Sequence, residues 1–366
     1  MDALTTLSNW QRVRLGDIFF ITAGGDLSKP HYSNTKQSDF NYPIYSNAIE
    51  KKGLYGYSSF FIIKNKSITI TSRGTIGVAF FRDYPYVPIG RLLVLQPKIS
   101  NIDCRFYTEY INSKVKFNTE QTTIPQLTIP KVALCEIPLP PLNEQIAIAN
   151  ILSDVDRYLY SLRALILKKE NVKKALSFEL LSQRKRLKGF NQAWQRVRLG
   201  DIANYLTSNL SAEQITQQGK IKVYDVNNFI GYTNTTFISD KPYISIVKDG
   251  SVGRVRILPP KTNILSTMGA LIANHKTTTE FLFYLLSNFD FKNFTSGSII
   301  PHIYFKDYKE KTIFLPPLNE QIAIANILSA LDHEIISLKN KKRQFENIKK
   351  ALNHDLMSAK IRVLNK

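Results

Sequence analysis

The chain has 366 residues, 43% hydrophobic and 21% charged, enough for two ordinary domains with sizeable cores. No run approaches the roughly 18 uninterrupted apolar residues of a spanning helix, the start MDALTTLSNWQRVRLGD lacks a signal peptide's basic-then-apolar pattern, and Cys104 and Cys135 alone make neither a disulfide framework nor a zinc site, so a soluble cytoplasmic protein with both cysteines buried is expected. The net charge of +20 favours nucleic acid as partner over an anionic membrane or a merely solubilising surface, because Lys and Arg release the counterions condensed on phosphates.

In chain order, WQRVRLGDI (Trp10 to Ile18) comes first. The polar stretch Tyr45-Ser46-Asn47 follows a short strand. SITIT (Ser67 to Thr71) and IGVAFF (Ile76 to Phe81) then flank the turn residues Ser72-Arg73-Gly74-Thr75, which predicts a hairpin. A helix is expected through Phe106 to Val115, its aromatics in the core. Pro140-Pro141 cannot continue a helix backwards, so Asn143 reads as an N-cap, with Glu144 at the positive end of the dipole. Apolar residues recur at three-four spacing through Leu152, Val155, Leu159, Leu162 and Ile166, slip near Lys169, and resume at Val172, Leu176 and Leu180. Arg184-Lys185-Arg186-Lys188 suits the negative end of the dipole, and Gly189 a left-handed cap. That predicts about 45 helical residues, a rod of roughly 68 Å.

The chain then starts again. WQRVRLGDI recurs identically at Trp194 to Ile202, an offset of 184, and LPPLNEQIAIANILS (Leu139 to Ser153) recurs identically at Leu315 to Ser329, an offset of 176. The second copy is eight residues shorter. Because Thr71 to Phe81 already aligns with Val247 to Ile257 at offset 176, the loss lies between Ile18 and about Thr71. The same offset pairs Ile124-Pro125-Gln126-Leu127 with Ile300-Pro301-His302-Ile303. YISIV (Tyr243 to Val247) and SVGRVRIL flank a second tip, Lys248-Asp249-Gly250, and a helix is expected through Glu280 to Phe289. The last stripe runs Leu328, Leu331, Ile335, Leu338, Phe345, Ile348, Leu352, Leu356. Two such narrow stripes want partner helices. The simplest pairing is the two long helices antiparallel; two separate helices, each lying on its own globular part, is the other arrangement.

The repeated PPLNEQIAIANILS leading into a long helix, each time after a strand-rich segment, resembles the specificity subunit of Type I restriction-modification systems over nearly the whole chain. The resemblance implies an α+β architecture of two target recognition domains, residues 1–140 and 190–316, separated by conserved spacer helices, 141–189 and 317–366, packed as an antiparallel coiled coil. It implies double-stranded DNA as ligand, a bipartite site with two unlike halves, and two methyltransferase and two restriction-translocase subunits as partners. S-adenosylmethionine, ATP and Mg are then expected on those partners and no cofactor in this chain. A pseudo-twofold reader meets DNA about one helical turn apart or a multiple of it. A specificity chain serving a combined restriction-methylation polypeptide of the Type II kind would look almost the same. A coiled-coil scaffold without DNA function is disfavoured by the charge and the two globular inserts.

Base reading needs Arg, Lys, Asn, Gln, Ser or Thr at groove depth. The candidates are Ser72, Arg73 and Thr75 at the first tip and Lys248, Asp249 and Ser251 at the second, with Tyr45, Ser46 and Asn47 and their approximate counterparts Asn227 and Asn228. Gln126 and His302 occupy matching positions after Ile-Pro. Each also reads as an ordinary turn residue or an internal hydrogen-bonding group. Lys64, Lys66, Arg91, Arg254 and Arg256 are assigned to phosphates, which give affinity without sequence information.

Catalytic patterns are missing. The Pro-Pro pairs at 140–141, 259–260 and 316–317 are not followed by an aromatic, as an amino-methyltransferase tetrapeptide requires, and no Walker A loop is present. Asp290 with Asp307-Tyr308-Lys309 lacks a nuclease context, and His31, His275, His302, His333 and His354 have no ligand spacing, so no metal site is expected.

Overall fold

The computed structural model describes residues 10–117 and 125–363; Ile124 of the aligned Ile-Pro segment lies outside them. Two compact units emerge, Met1–Leu162 with Lys341–Lys366, and Arg163–Asn340. Each contains one globular domain, the start of the helix that follows it and the end of the other long helix.

The first unit begins with β1 (Gln11–Arg14), the single turn α1 (Leu15–Ile18), β2 (Phe19–Ala23), β3 (Tyr32–Ser33), β4 (Tyr42–Tyr45), β5 (Leu54–Ser58), β6 (Ser67–Ile70), β7 (Ala79–Arg82), β8 (Val87–Pro88), β9 (Leu93–Pro97), α2 (Cys104–Lys114), α3 (Ile129–Ala133) and β10 (Glu136–Leu139). Its main sheet runs β2-β9-β6-β7, all antiparallel, and a smaller one runs β3-β5-β4-β8. α2 starts where the Asp103 carboxylate accepts from the N–H groups of Arg105 and Phe106. Ile68, Ile70 and Leu95 from the sheet share one core with Phe106, Tyr107 and Ile111 from α2. Each such side chain contributes roughly 1.5 to 3 kcal/mol by leaving water. Cys104 is buried, and burial pushes its thiol up to about 12; Cys135 is half-buried.

The second unit repeats the plan with β11 (Gln195–Arg198), β12 (Ala203–Thr207), β13 (Ile221–Tyr224), β14 (Phe229–Thr233), β15 (Tyr243–Val247), β16 (Val255–Leu258), β17 (Thr262–Ile264), β18 (Met268–Ala273), α5 (Thr279–Ser287), α6 (Phe305–Tyr308) and β19 (Thr312–Leu315). Sheet β12-β18-β15-β16 matches the first main sheet strand for strand, while the smaller sheet is only β14-β13-β17. The offset is 184 at β2 and β12, 179 at β4 and β13, 175 at β5 and β14, and 176 from β6 and β15 onward. The missing eight residues are thereby located. β3 shrinks to a single bridge, Thr216 to Tyr232, the chain shortens before β13, and the loop after it loses the 3-10 turn that Glu50–Gly53 forms in the first copy.

The long helices are α4 (Leu142–Leu181) and α7 (Leu318–Leu356), and they contact each other. In the first unit Asp156 of α4 meets Lys349 of α7 at 2.7 Å, and in the second Lys173 meets Asp332 at 2.5 Å, the same two repeat positions with the helices exchanged. Three expectations need correction. Asn143 is not the cap: the Pro141 carbonyl accepts from the N–H groups of Glu144 and Gln145, and the Asn143 side chain accepts inside the first turn. α4 ends at Leu181, short of Gly189, because Gln183 turns left-handed with φ 61° and Arg186 is drawn away to Glu320. Val172 and Ile348 leave the seam and stand exposed.

The identically repeated segments form one joint, built twice. WQRVRLGDI supplies β1 and β11, and they pair antiparallel with β10 and β19, the strands that end at Leu139 and Leu315 where the PPLNEQ segments begin. The Glu144 side chain, 2% exposed, accepts from the Trp10 indole at 3.1 Å and meets Arg362 Nε at 2.9 Å. Glu320, fully buried, accepts from the Trp194 indole at 2.9 Å and from Arg186 at 2.7 Å. The next residue ties each long helix to its domain. Gln145 accepts from Asp103 N–H and donates to the Asn101 and Pro140 carbonyls; Gln321 accepts from Thr278 N–H and Thr277 Oγ1 and donates to the Lys276 and Pro316 carbonyls.

Candidate nucleic-acid interface

Each main sheet projects the loop between its last two antiparallel strands, residues 71–78 and 248–254, longer than the tight hairpin turns the sequence suggests. The two loops share one backbone design. Gly77 N–H donates to the Thr71 carbonyl at 2.8 Å and Gly253 N–H to the Val247 carbonyl at 2.9 Å. Leu127 N–H donates to the Ser72 carbonyl at 2.8 Å, and Ile303 N–H to the Lys248 carbonyl at 2.9 Å. Those last bonds bring the residue after Ile-Pro against the tip.

At that shared place the chemistry diverges. The exposed Arg73 guanidinium donates to the Gln126 amide oxygen through Nη2 at 3.1 Å and Nε at 3.4 Å. At the matching positions Asp249 Oδ1 lies 2.7 Å from His302 Nδ1. Facing a carboxylate, which only accepts, that ring nitrogen is the one that carries hydrogen. Four of the residues predicted from sequence therefore form two homologous pairs, each spanning 53 positions.

The other candidates fare differently. Ser72 is fully buried, its N–H donating to Asn47 Oδ1 at 2.7 Å and its hydroxyl to the Arg91 carbonyl at 2.6 Å. Asn47 also donates to the Gly90 carbonyl, so it braces the first tip from behind. Tyr45 is buried under the Arg82 guanidinium, 3.6 Å from its ring centroid, with its hydroxyl 2.7 Å from that of Tyr84, and burial raises its phenol well above the usual range. These three side chains are engaged inside the domain. Ser46 N–H donates to the Gly53 carbonyl. Thr75 and Ser251 are exposed on the tips, and Lys248 is half-buried. Asn227 and Asn228 are exposed, both backbone N–H groups donating to Asp225 Oδ1.

Of the basic residues, Lys64, Lys66, Arg91 and Arg254 are exposed. Arg91 follows Gly90 in two successive left-handed conformations, φ 65° and 67°, beside the first tip. Arg256 is drawn inward, donating to the Asn227 carbonyl at 2.9 Å over the Tyr224 ring. Sequence reasoning missed Arg82, 1% exposed, which donates to Thr69 Oγ1 and to the Lys52 carbonyl and so holds the 3-10 turn behind the first tip. Its second-copy equivalent is Leu258, and no repeat signal flagged it. Among the described residues no cluster of three His, Cys, Asp or Glu could hold a metal ion, and no helix is long and apolar enough to cross a membrane.

A family model described as Type I restriction modification DNA specificity domain matches residues 7–182 and again 191–347. The MjaVIII specificity subunit of a Type I restriction enzyme from Methanocaldococcus jannaschii is 23% identical over an alignment of 413 residues, covering 100% of this chain and 96% of the relative. A Mycoplasma pneumoniae protein named as a type I specificity subunit is 34% identical over 155 residues; that match covers 41% of this chain and 46% of the relative's own length. Among solved structures, the S subunit of a Type I restriction-modification system from M. genitalium superposes with a TM-score of 0.69 at 21% identity, covering 97% of this chain and 98% of that one.

Proposed function

The chain belongs to the Type I restriction-modification DNA specificity family, and from that premise we propose that it is a non-catalytic, sequence-specific DNA-binding subunit that recognises a bipartite, asymmetric target and directs methyltransferase and restriction subunits to it. The observation that carries this is the pair of tips: one backbone design, used twice, presenting Arg73 with Gln126 in one unit and Asp249 with His302 in the other. Equal frames with unlike side chains suit two unlike half-sites. The net charge of +20 and the exposed Lys64, Lys66, Arg91 and Arg254 suit the phosphates that flank each half.

The long helices support the partner half of the proposal. Ile146, Tyr160 and Ile348 of the first unit are exposed, and so are their repeat equivalents Ile322, Ile336 and Val172 of the second. Matching outward apolar faces suit two copies of one partner. Two methyltransferase subunits would dock there, restriction subunits would join through them, and S-adenosylmethionine, ATP and Mg would sit on those chains in the cytoplasm.

Mapping methylated adenines genome-wide with and without this chain, in cells that express the partner methyltransferase, tests the reading. A split motif with two unlike halves that disappears with the chain is expected; an unchanged methylome refutes it. Exchanging Phe19 to Leu134 for another recognition domain is expected to alter one half-site only.

A further inference from the structure

The two tip pairs differ in hydrogen-bonding polarity, and from that we infer that the first tip reads guanine while the second reads the amino group of adenine or cytosine at the equivalent place in its half-site. This rests on the DNA-reading proposal above and goes further, to which base edge each tip takes.

At the first tip, Gln126 Oε1 occupies one side of the Arg73 fork, the Nε and Nη2 edge. Those bonds use the Nε side of the fork, so the end-on edge of Nη1 and Nη2 keeps N–H groups that they do not take up on the exposed Arg73 side chain, and the Gln126 amide nitrogen adds two more donors. The pair as built presents donors only. In the major groove guanine alone shows two adjacent acceptors, N7 and O6, with no donor of its own, and a guanidinium meets them bidentately. Gln126 here is a positioning residue: it fixes the plane of the fork, so less side-chain freedom is lost when the base is met.

At the second tip the groups have the opposite sense. Asp249 uses one oxygen on the His302 Nδ1–H, and its other oxygen only accepts. Cytosine N4 and adenine N6 are the donors on the major-groove edge, and carboxylates accept from such groups. Guanine would instead meet the carboxylate with its own acceptors. The backbone fixes this pair as firmly as the first: Gly250 N–H donates to the Pro301 carbonyl at 2.9 Å, and His302 N–H to the Ser296 carbonyl at 2.7 Å.

The test uses the full chain in its complete methylation system, reading the methylated motif of the wild type, of Arg73→Ala, of Gln126→Ala and of the double exchange Asp249→Arg with His302→Gln. Arg73→Ala is expected to lose one guanine requirement in one half, discrimination there falling from at least about tenfold to under about threefold, with every other position kept. Gln126→Ala weakens the same position less. The double exchange is expected to install a guanine requirement in the other half, where the wild type takes adenine or cytosine. Where a variant abolishes methylation, binding of the purified chain to duplexes varied at single positions gives the same readout. Retention of all guanine requirements by Arg73→Ala, or a second half-site unchanged by the double exchange, overturns the inference and leaves the DNA-reading proposal standing. A wild type that directs no split motif overturns that proposal, and the inference with it.

Discussion

The joint at the start of each long helix and the tip at the edge of each main sheet are both built twice, yet repetition preserves different things in them. In the joint, side chains are kept: Trp10 and Trp194, Glu144 and Glu320, Gln145 and Gln321, Arg362 and Arg186 make the same contacts. In the tip only backbone is kept, while Arg73 gives way to Asp249 and Gln126 to His302. A buried charged junction tolerates little change, because any partner removed leaves another unpaired away from water. An exposed tip on a fixed frame tolerates nearly any side chain. Joint variants should therefore alter stability and leave the recognised bases alone, and tip variants should do the reverse.

The largest effect is expected where the joint is most deeply buried. Arg186→Ala leaves the Glu320 carboxylate, fully buried, with only the Trp194 indole, and should lower stability by about 3 kcal/mol. The equivalent Arg362→Ala should cost about 1 kcal/mol, because the Arg362 side chain is already 46% exposed and solvent screens the pair. Urea midpoints of the two full-length variants measure the difference. Equal losses would mean that the two joints are not energetically distinguished by burial.

Gln321→Ala comes next. Its amide satisfies the Thr278 N–H, the Thr277 hydroxyl and two carbonyls with no exposure of its own. Stranding those groups is expected to cost about 2 to 3 kcal/mol, read as a fall in melting temperature with the methylated motif unchanged. A shifted motif would break the division between joint and tip.

Much of this was legible from sequence because identity over nine and fifteen residues marks the repeat directly, and the helices announce themselves by apolar spacing. What the repeated Glu and Gln are for was not legible, since their partners Trp10, Asp103 and Arg362 lie 134, 42 and 218 positions away. The helix end is hidden for the same reason: Arg184 to Lys188 suit a dipole locally, but the Arg186 to Glu320 pair decides. At the tips, the sequence names polar residues without their depth. Ser72 and Tyr45 read like Arg73 in a sequence, and only Arg82, Asn47 and the Arg91 carbonyl determine that they face inward.

The tip backbone itself can be probed. Gly253 has φ 79°, and a Cβ there would stand 2.6 Å from the Phe291 ring, whereas Gly250, φ 83°, opens onto empty space. Gly253→Ala should cost about 2 kcal/mol and Gly250→Ala about 1 kcal/mol, compared by thermal melting. Because Gly250 also borders Asp249, its variant should additionally weaken binding to the second half-site.

The smallest expected effect separates tip from surroundings. Lys64 and Lys66 are exposed and lie before β6, outside the tip at residues 71–78. If each neutralises one phosphate, replacing both by Ala should reduce the magnitude of the slope of log K against log salt by about 2, while preferences between bases stay as they were. Arg73→Ala, by contrast, should change base preference and leave that slope nearly untouched. Binding titrations of the full chain over a range of salt, on matched and single-mismatch duplexes, measure both quantities at once. A Lys64 and Lys66 variant that relaxed one base position without changing the slope would move those lysines into the reading surface. The reading surface would then extend past the main-sheet tip, to the segment between β5 and β6.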